Sequence, residues 1–395
     1  MEKAKISIRQ LFVMIIIFEL GSSLLITPGT MAGRDAWIAV LLGCAAGLFL
    51  FYLYQGIYQC YPESSPKEYM DDILGTKLSW LFSFLYILYF AYIAARVLRD
   101  FGEMLLTFAY HDTPIIIVNA MLMVVSIYAV RKGIEVLARS AELLFGAMYL
   151  LGGIGLVLII VSGSMDPHHL KPILADGISP VLHSVFTQTM YVPFGEVVLF
   201  VMIFPNLNDR KNVKKMGMIA IAISGLIVAL TVAINISVLD VDLTLRSQFP
   251  LLSTIQTIKV EEFLDRLDVF FMLALIIGGF FKVSLYLYAT VVGTSTLFKE
   301  KNPSQLAYPM GLGILILSIT IATNFSEHLN EGLKVVPLYI HLPFQLLFPL
   351  FLFILAVWKK KRREKSNGAE AKNNKKSGGM QPPLFLCSLL YKRGI

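Results

Sequence analysis

The chain has 395 residues, of which 56% are hydrophobic and only 15% are charged. Soluble domains carry roughly 25% charged residues, and runs of about twenty apolar residues recur here along almost the whole chain. This composition excludes an ordinary soluble enzyme and a nucleic-acid-binding protein. The net charge of +7 lies largely in short loops and in the C-terminal tail, where it sets membrane topology rather than partners.

Apolar windows predict an all-α integral membrane domain with ten transmembrane helices over residues 1–360. The predicted spans cover about 9–31, 36–59, 79–109, 114–130, 134–163, 181–204, 213–238, 267–298, 305–323 and 335–358. Basic residues concentrate in alternate loops, and by the positive-inside rule this places both termini in the cytoplasm. Residues 361–395 form a basic tail that we expect to be disordered and close to anionic membrane lipid.

The first span contains FVMIIIFELGSSLLITPGTMAG, with Gly21, Ser22 and Ser23 near its middle. Glycine costs about 1 kcal/mol relative to alanine inside a helix, and serine offers competing hydrogen bonds. One interpretation is tight packing by small residues between membrane helices. The other is an interrupted helix whose free backbone groups line a protein cavity, with Glu19 capping the interruption.

One face of the third span carries a polar stripe, made of Tyr89, Tyr92, Arg96, Arg99 and Glu103. Asp100 follows Arg96 by four residues and Glu103 follows Arg99 by four, so local ion pairs are predicted. The stripe either holds helices together near the outer interface, or Tyr92 and Arg96 border a ligand cavity.

The sixth span, VFTQTMYVPFGEVVLFVMIF, contains a second cluster of helix-weakening residues. Pro193 removes a backbone donor, and Gly195 follows two residues later. The candidate ligand contacts here are Tyr191, Pro193, Phe194 and Gly195. Glu196 either favours the positive end of the following half-helix or takes part in ligand binding or coupling.

These interruptions open the first and the sixth of the ten predicted spans, so the chain divides into two five-helix repeats, about 8–163 and 181–358. Discontinuous helices at corresponding positions of two halves indicate a midplane binding site in inverted-repeat transporter folds. The half-helix ends offer free amides to a carboxylate and free carbonyls to an ammonium group. The sequence therefore predicts a site for a small solute, with an amino acid as the first candidate.

Three segments carry a family resemblance: GSS followed by DAWIAVLLG, then VPFGEVVLFVMIFP, then GGFFKVSLYLYA. Together they resemble the B subunit of bacterial spore germinant receptors, a family within the amino acid–polyamine–organocation permease superfamily. The resemblance implies a LeuT-like fold with two inverted repeats and discontinuous first and sixth helices. It also implies residence in the spore inner membrane, assembly with an A subunit and a lipoprotein C subunit, and a role in nutrient sensing.

The eighth span places Lys282 about midway through the membrane, too deep to reach the interface easily. In the ten-helix architecture this helix flanks the first interruption, where sodium binds in sodium-coupled relatives, so the ammonium group would replace that ion. The alternative is a structural pair with Glu196 or Glu19. Ser284 and Tyr288, on an adjoining face, are predicted to wall the pocket.

Together with the predicted site for a small solute, the family resemblance implies a nutrient-sensing receptor subunit that triggers germination. We do not expect an enzyme, because the sequence has no catalytic motif. We expect no metal and no cofactor; His168, His169 and Asp166 lack further spaced ligands. The alternatives are a secondary amino-acid transporter, coupled to protons, and a ligand-gated ion channel component. A sugar or a nucleoside is the alternative to an amino acid as the ligand.

Overall fold

The structure, a computed structural model, describes residues 5–62, 64–257 and 267–376. Its α-helices, α1 to α13, are Ile8–Ser23, Ala36–Cys60, Pro66–Leu74, Thr76–Phe108, Ile115–Lys132, Ile134–Val161, Ser179–Ser184, Val213–Arg246, Pro250–Gln256, Leu267–Phe298, Pro303–Thr320, Phe325–Lys334 and Phe348–Lys376. Shorter 3-10 helices cover Thr30–Asp35, Pro167–Leu170, Phe194–Met202 and Phe204–Asn206, and π-helices cover Val185–Thr189 and Pro337–Leu347. A parallel bridge between Ile6 and Leu207 ties the start of α1 to the end of the sixth predicted span.

Local chemistry explains where several of these helices begin. Ser7 and Gln10 form a capping box at the start of α1, each side chain bonding the other residue's backbone amide. Ser65 and Glu68 do the same at α3, with Pro66 in the first helical position. From the sequence, this stretch reads as a loop between two spans, because a nine-residue helix is too short to appear as an apolar window.

Within the described residues, eight helical stretches are long and apolar enough to cross a membrane. The pair α11 and α12, bent by 104° at a short break, would make a ninth. α1 has 16 residues, fewer than the roughly 20 that span a bilayer. The chain is thus an all-helical, multi-pass membrane-type protein, while the count of ten spans and the inverted repeats stay predictions.

The basic tail begins within the last helix. α13 has helical backbone from Phe348 to Lys376, so it includes the first part of the segment predicted to be disordered. Residues 377–395 lie outside the described part of the chain.

Burial separates central helices from peripheral ones. In the sixth predicted span, 78% of the most apolar window is buried inside the protein, whereas in α6 only 11% is. α10 packs against α4 and α1, and α2 packs against α8. The interrupted segments therefore lie in the protein core, where irregular backbone is tolerated at membrane depth.

Both predicted spans are interrupted, but the first break follows the predicted triplet. Gly21, Ser22 and Ser23 are the last residues of α1, and the chain then turns through residues 24–29 before the 3-10 helix Thr30–Asp35. In the sixth span, α7 and the π-helix lead to a turn at residues 190–193, and a 3-10 helix begins at Phe194. Pro193 has no amide hydrogen, which explains why regular α-helix does not continue through it.

Candidate functional site

A cavity of about 80 Å³ lies between the two interruptions. Ser22 and Ser23, at the end of α1, form one wall, and the interrupted sixth span forms another with Gln188, Val192 and Glu196. The other lining residues come from α4, α12 and the last span, and include Arg96, Asp100, Leu329, Gly332 and His341. The cavity brings the ends of both interrupted helices together with charged groups of a third helix.

Gly21 allows α1 to touch α10 directly. A Cβ atom on Gly21 would lie 2.8 Å from the carbonyl oxygen of Gly278 and 3.5 Å from the Cβ of Lys282. Only glycine permits this approach of two backbones. Ser23 Oγ donates a hydrogen bond to the Glu19 carbonyl oxygen, one turn earlier in α1, at 2.7 Å. The triplet thus combines both interpretations: its glycine packs a helix pair, and its serines line the cavity.

Gln188 connects the two interruptions. Its side-chain oxygen accepts a hydrogen bond from the backbone amide of Gly29 at 3.1 Å. Its amide nitrogen is buried and has no partner among the described residues. An unmet buried donor is costly, so this nitrogen is a candidate donor to a bound ligand.

Lys282 is the centre of a buried charge cluster. Its Nζ lies 2.5 Å from Glu196 Oε2 and donates to Ser22 Oγ at 2.5 Å. Tyr286 donates to Glu196 Oε1 at 3.0 Å, and the Phe18 ring lies under the ammonium at 4.9 Å. The side chains of Lys282 and Glu196 are 0% and 3% exposed. The ammonium therefore pairs with Glu196, one of the expected alternatives, and also contacts the first interruption.

Glu19 is the second carboxylate of this centre. It is fully buried, and neither of its oxygens has a hydrogen-bond partner among the described residues. It interacts electrostatically with both Lys282 and Glu196. The centre therefore holds two carboxyl groups and one ammonium group. Among the described residues, no group of three His, Cys, Asp or Glu side chains converges to hold a metal.

The remaining predicted ligand contacts do not line the small cavity. Tyr92 accepts a hydrogen bond from Arg96 at 3.4 Å. Ser284 is buried, and its hydroxyl has no partner among the described residues. Tyr288 lines a second, larger cavity. Tyr191 and Pro193 are buried in the turn of the sixth span, and Phe194 and Gly195 are buried at the start of the following 3-10 helix.

Tertiary contacts, and not helix spacing, decide the partner of Asp100. Arg99 and Glu103 form the predicted local pair at 3.2 Å. Asp100, however, bonds His328 of α12 at 2.8 Å instead of Arg96.

Two features of the site were not predicted from the sequence: Gln188 as a wall residue and α12 as a helix. The only signal for Gln188 was an amide in an apolar run one turn before the interruption.

The second cavity has a volume of about 730 Å³ and opens between the basic loops around Lys67, Arg131 and Lys299. A hydrogen-bonded layer of side chains lies beside the small cavity. His341, which lines the small cavity, bonds Tyr89 at 2.9 Å, and Gln345 Nε2 donates to Tyr89 Oη at 2.8 Å. Along α4, residues from Ser83 to Phe90 line the large cavity and residues from Ile93 to Asp100 line the small one. The two cavities therefore lie towards opposite ends of this helix.

Tyr54 holds this layer to the sixth interruption. Its hydroxyl lies 2.5 Å from the Gln345 carbonyl oxygen and 3.3 Å from that of Gly195. We predict that Tyr54→Phe lowers the free energy of unfolding by about 1–3 kcal/mol, because buried carbonyls lose their donor. Denaturation in mixed micelles measures this, with the exposed Tyr52→Phe as the matched control. Equal stability of both variants would contradict the role of Tyr54.

Two solved structures resemble this one in fold. MhsT in complex with L-phenylalanine matches with a TM-score of 0.65 and 14% sequence identity, over 88% of this chain and 87% of that protein. Mhp1, a nucleobase-cation-symport-1 family transporter in a closed conformation with bromovinylhydantoin bound, matches with a TM-score of 0.58 and 10% identity, over 83% and 75%. At such low identity the likeness shows the fold, and the fold is LeuT-like as expected.

Sequence comparison confirms the predicted family. Spore germination protein KB of Bacillus subtilis (strain 168) is 95% identical over 372 residues, which cover 94% of this chain and 100% of that protein. The family model described as spore germination protein, Spore_permease, matches residues 5–326. The chain therefore belongs to the spore germination protein family of permease-like membrane proteins.

Proposed function

We propose that the chain is the nutrient-sensing subunit of a spore germination receptor and binds a small ligand between the two interruptions. The observation that carries this proposal is the cavity where Ser22, Ser23, Gln188 and Glu196 meet. A polar cavity at two helix interruptions is the arrangement by which this fold class holds small solutes.

An amino acid is our first candidate ligand. The cavity wall contains a guanidinium group on Arg96 and carboxylates on Asp100 and Glu196, so both charges of an amino acid find a counter-charge within it. The volume of about 80 Å³ favours a small side chain. MhsT, which shares the fold, is described in complex with L-phenylalanine. A sugar or nucleoside is the alternative ligand class.

The topology and partners of the receptor belong to the same proposal. Counting α1 and the turn after it as one broken span brings the number of spans to ten, as two inverted five-helix repeats. The basic loops and both termini would then lie in the cytoplasm. We place the chain in the spore inner membrane, together with A and C subunits.

A binding panel tests the ligand site. The purified chain is heated with each common amino acid, with glucose, fructose and inosine, and its unfolding midpoint is recorded. A ligand that binds only the folded state raises that midpoint in a saturable way. We expect one or a few small nutrients to do so, and the same nutrients to trigger germination of spores that carry no other receptor. If none of the panel binds, the proposed site is wrong.

A secondary transporter is the second candidate, favoured by the large cavity on the face of the basic loops. Flux in vesicles separates the two functions. A sensor shows saturable binding without net flux of labelled nutrient, whereas a transporter shows flux that follows the nutrient gradient. Ion current through the reconstituted chain would instead indicate a channel component.

A further inference from the structure

We infer that α12 is an outer lid on the small cavity and that Arg96 and Asp100 hold it closed. This deepens the proposed function, since it assigns the regulation of that same ligand site. α12 contributes Leu329, Gly332 and Leu333 to the cavity lining. α11 begins at Pro303, which lines the large cavity, and α12 follows the other end of α11, so α12 lies on the side of the protein opposite to the large cavity.

The contacts of Arg96 and Asp100 with α12 form what we call the latch, and Arg96 makes the first of them. Its Nη2 donates to the carbonyl oxygen of His328, and its Nη1 lies 3.8 Å from Glu331 Oε2. A Cβ atom on Gly332 would lie 2.4 Å from Nη2, so a glycine is what lets α12 approach the guanidinium this closely. Arg96 itself is buried.

Asp100 makes the second contact. His328 Nε2 donates to Asp100 Oδ1 at 2.8 Å, and the two side chains are 1% and 11% exposed. Hydrogen bonds between charged and buried polar groups are the stronger class. The backbone carbonyl of His328 therefore accepts a hydrogen bond from Arg96, and its ring donates one to Asp100. Through these two contacts His328 anchors α12 on α4.

The hinge of the lid is held separately from the latch. The chain bends by 104° between α11 and α12. Arg99 Nη1 donates to the carbonyls of Ser318, Ile319 and Ala322 at 3.4, 3.1 and 2.8 Å. A cation at the end of a helix satisfies its free carbonyls. Arg99 thus fixes the end of α11, while Arg96 and Asp100 hold α12 itself, together with the stacking of Phe325 on Phe249.

The latch residues also line the cavity, and this links the lid to the ligand. Arg96 and Asp100 each face the small cavity and each bond α12. A ligand carboxylate that bonds Arg96, or a ligand donor that bonds Asp100, competes with His328 and Glu331 for the same side chains. Such a ligand binds the unlatched state more tightly, which is the condition for shifting a population.

Thiol labelling without any nutrient tests the lid. Val192, on the cavity wall, is changed to cysteine, and 2-sulfonatoethyl methanethiosulfonate, which does not cross membranes, is added to vesicles containing the chain. The parent chain, with its native cysteines, sets the background. We expect slow labelling of Val192→Cys and labelling about tenfold faster when His328→Ala is added, as the loss of charge-assisted bonds favours the open state.

Ser126→Ala is the matched control. It removes the hydrogen bond from a buried hydroxyl of α5 to the Leu122 carbonyl at 2.9 Å and touches neither the latch nor the hinge, so it should leave the labelling rate unchanged. Glu331 is more exposed, so Glu331→Gln should give a smaller increase in the labelling rate. This variant tests the latch if His328→Ala fails to fold.

Two outcomes would overturn the lid. One is fast labelling of Val192→Cys with the latch intact, and the other is an unchanged rate in every folded latch variant. Because no nutrient is present, either outcome leaves the proposed ligand binding standing. Conversely, a nutrient panel without any binder would leave the labelling result unaffected.

Discussion

Replacing Lys282 by methionine is expected to reduce the free energy of unfolding by about 3–5 kcal/mol, the cost of leaving a buried charge without its partner. Glu196 would lose the ammonium group that lies 2.5 Å from its carboxylate, in a site where Lys282 is fully buried. Tyr286 would remain as a donor, but a hydroxyl does not neutralise a carboxylate. Reversible denaturation in mixed micelles measures the change.

The double variant Lys282→Met with Glu196→Gln separates charge from packing. If the lost stability comes from the unpaired carboxylate, the double variant should recover a large part of it. Lys215→Met, on the exposed face of α8, should have little effect. A double variant that is as unstable as Lys282→Met alone would show that the lysine contributes through packing.

The second large effect is expected at the first interruption. Gly21→Leu places a side chain where even a Cβ atom would lie 2.8 Å from the Gly278 carbonyl oxygen. Overpacking of this kind costs about 1–3 kcal/mol, and α1 has to move away from α10. Since Ser22 and Ser23 follow directly, the wall of the small cavity moves with it. We expect nutrient binding to be lost, as measured by the shift in the unfolding midpoint.

Gly146→Leu is the matched control for this substitution. Gly146 lies on the exposed face of α6 with no atom near its Cβ position, and leucine favours a helix over glycine. This variant should keep both stability and binding. If Gly21→Leu folds and binds its nutrient with unchanged affinity, the ligand site lies elsewhere.

The interruptions could be predicted from sequence because they follow from backbone chemistry. Pro193 removes an amide hydrogen, and Gly21, Ser22 and Ser23 weaken a helix, whatever surrounds them. The pairing of Lys282 with Glu196 was also within reach, since a lysine at mid-membrane requires a buried partner. These features depend on a residue and its depth, and both can be read along the chain.

The cavity wall could not be predicted in the same way. Asp100 and His328 are 228 residues apart, and spacing on one helix favoured Arg96 as the partner of Asp100. α12 carries Glu327, Glu331 and Lys334, so its sequence reads as a polar loop. Tyr288 faces the large cavity because the rotation of α10 about its axis depends on its neighbours. Contacts of this kind need the packed structure.

The most direct test of the account is a cryo-EM map of the purified chain with the nutrient that binds. We predict ligand density between the end of α1 and the interrupted sixth span, in contact with Ser22 or Ser23 and with Gln188. Density in the larger cavity beside Tyr288, with the small cavity empty, would contradict the claim that the paired interruptions form the binding site.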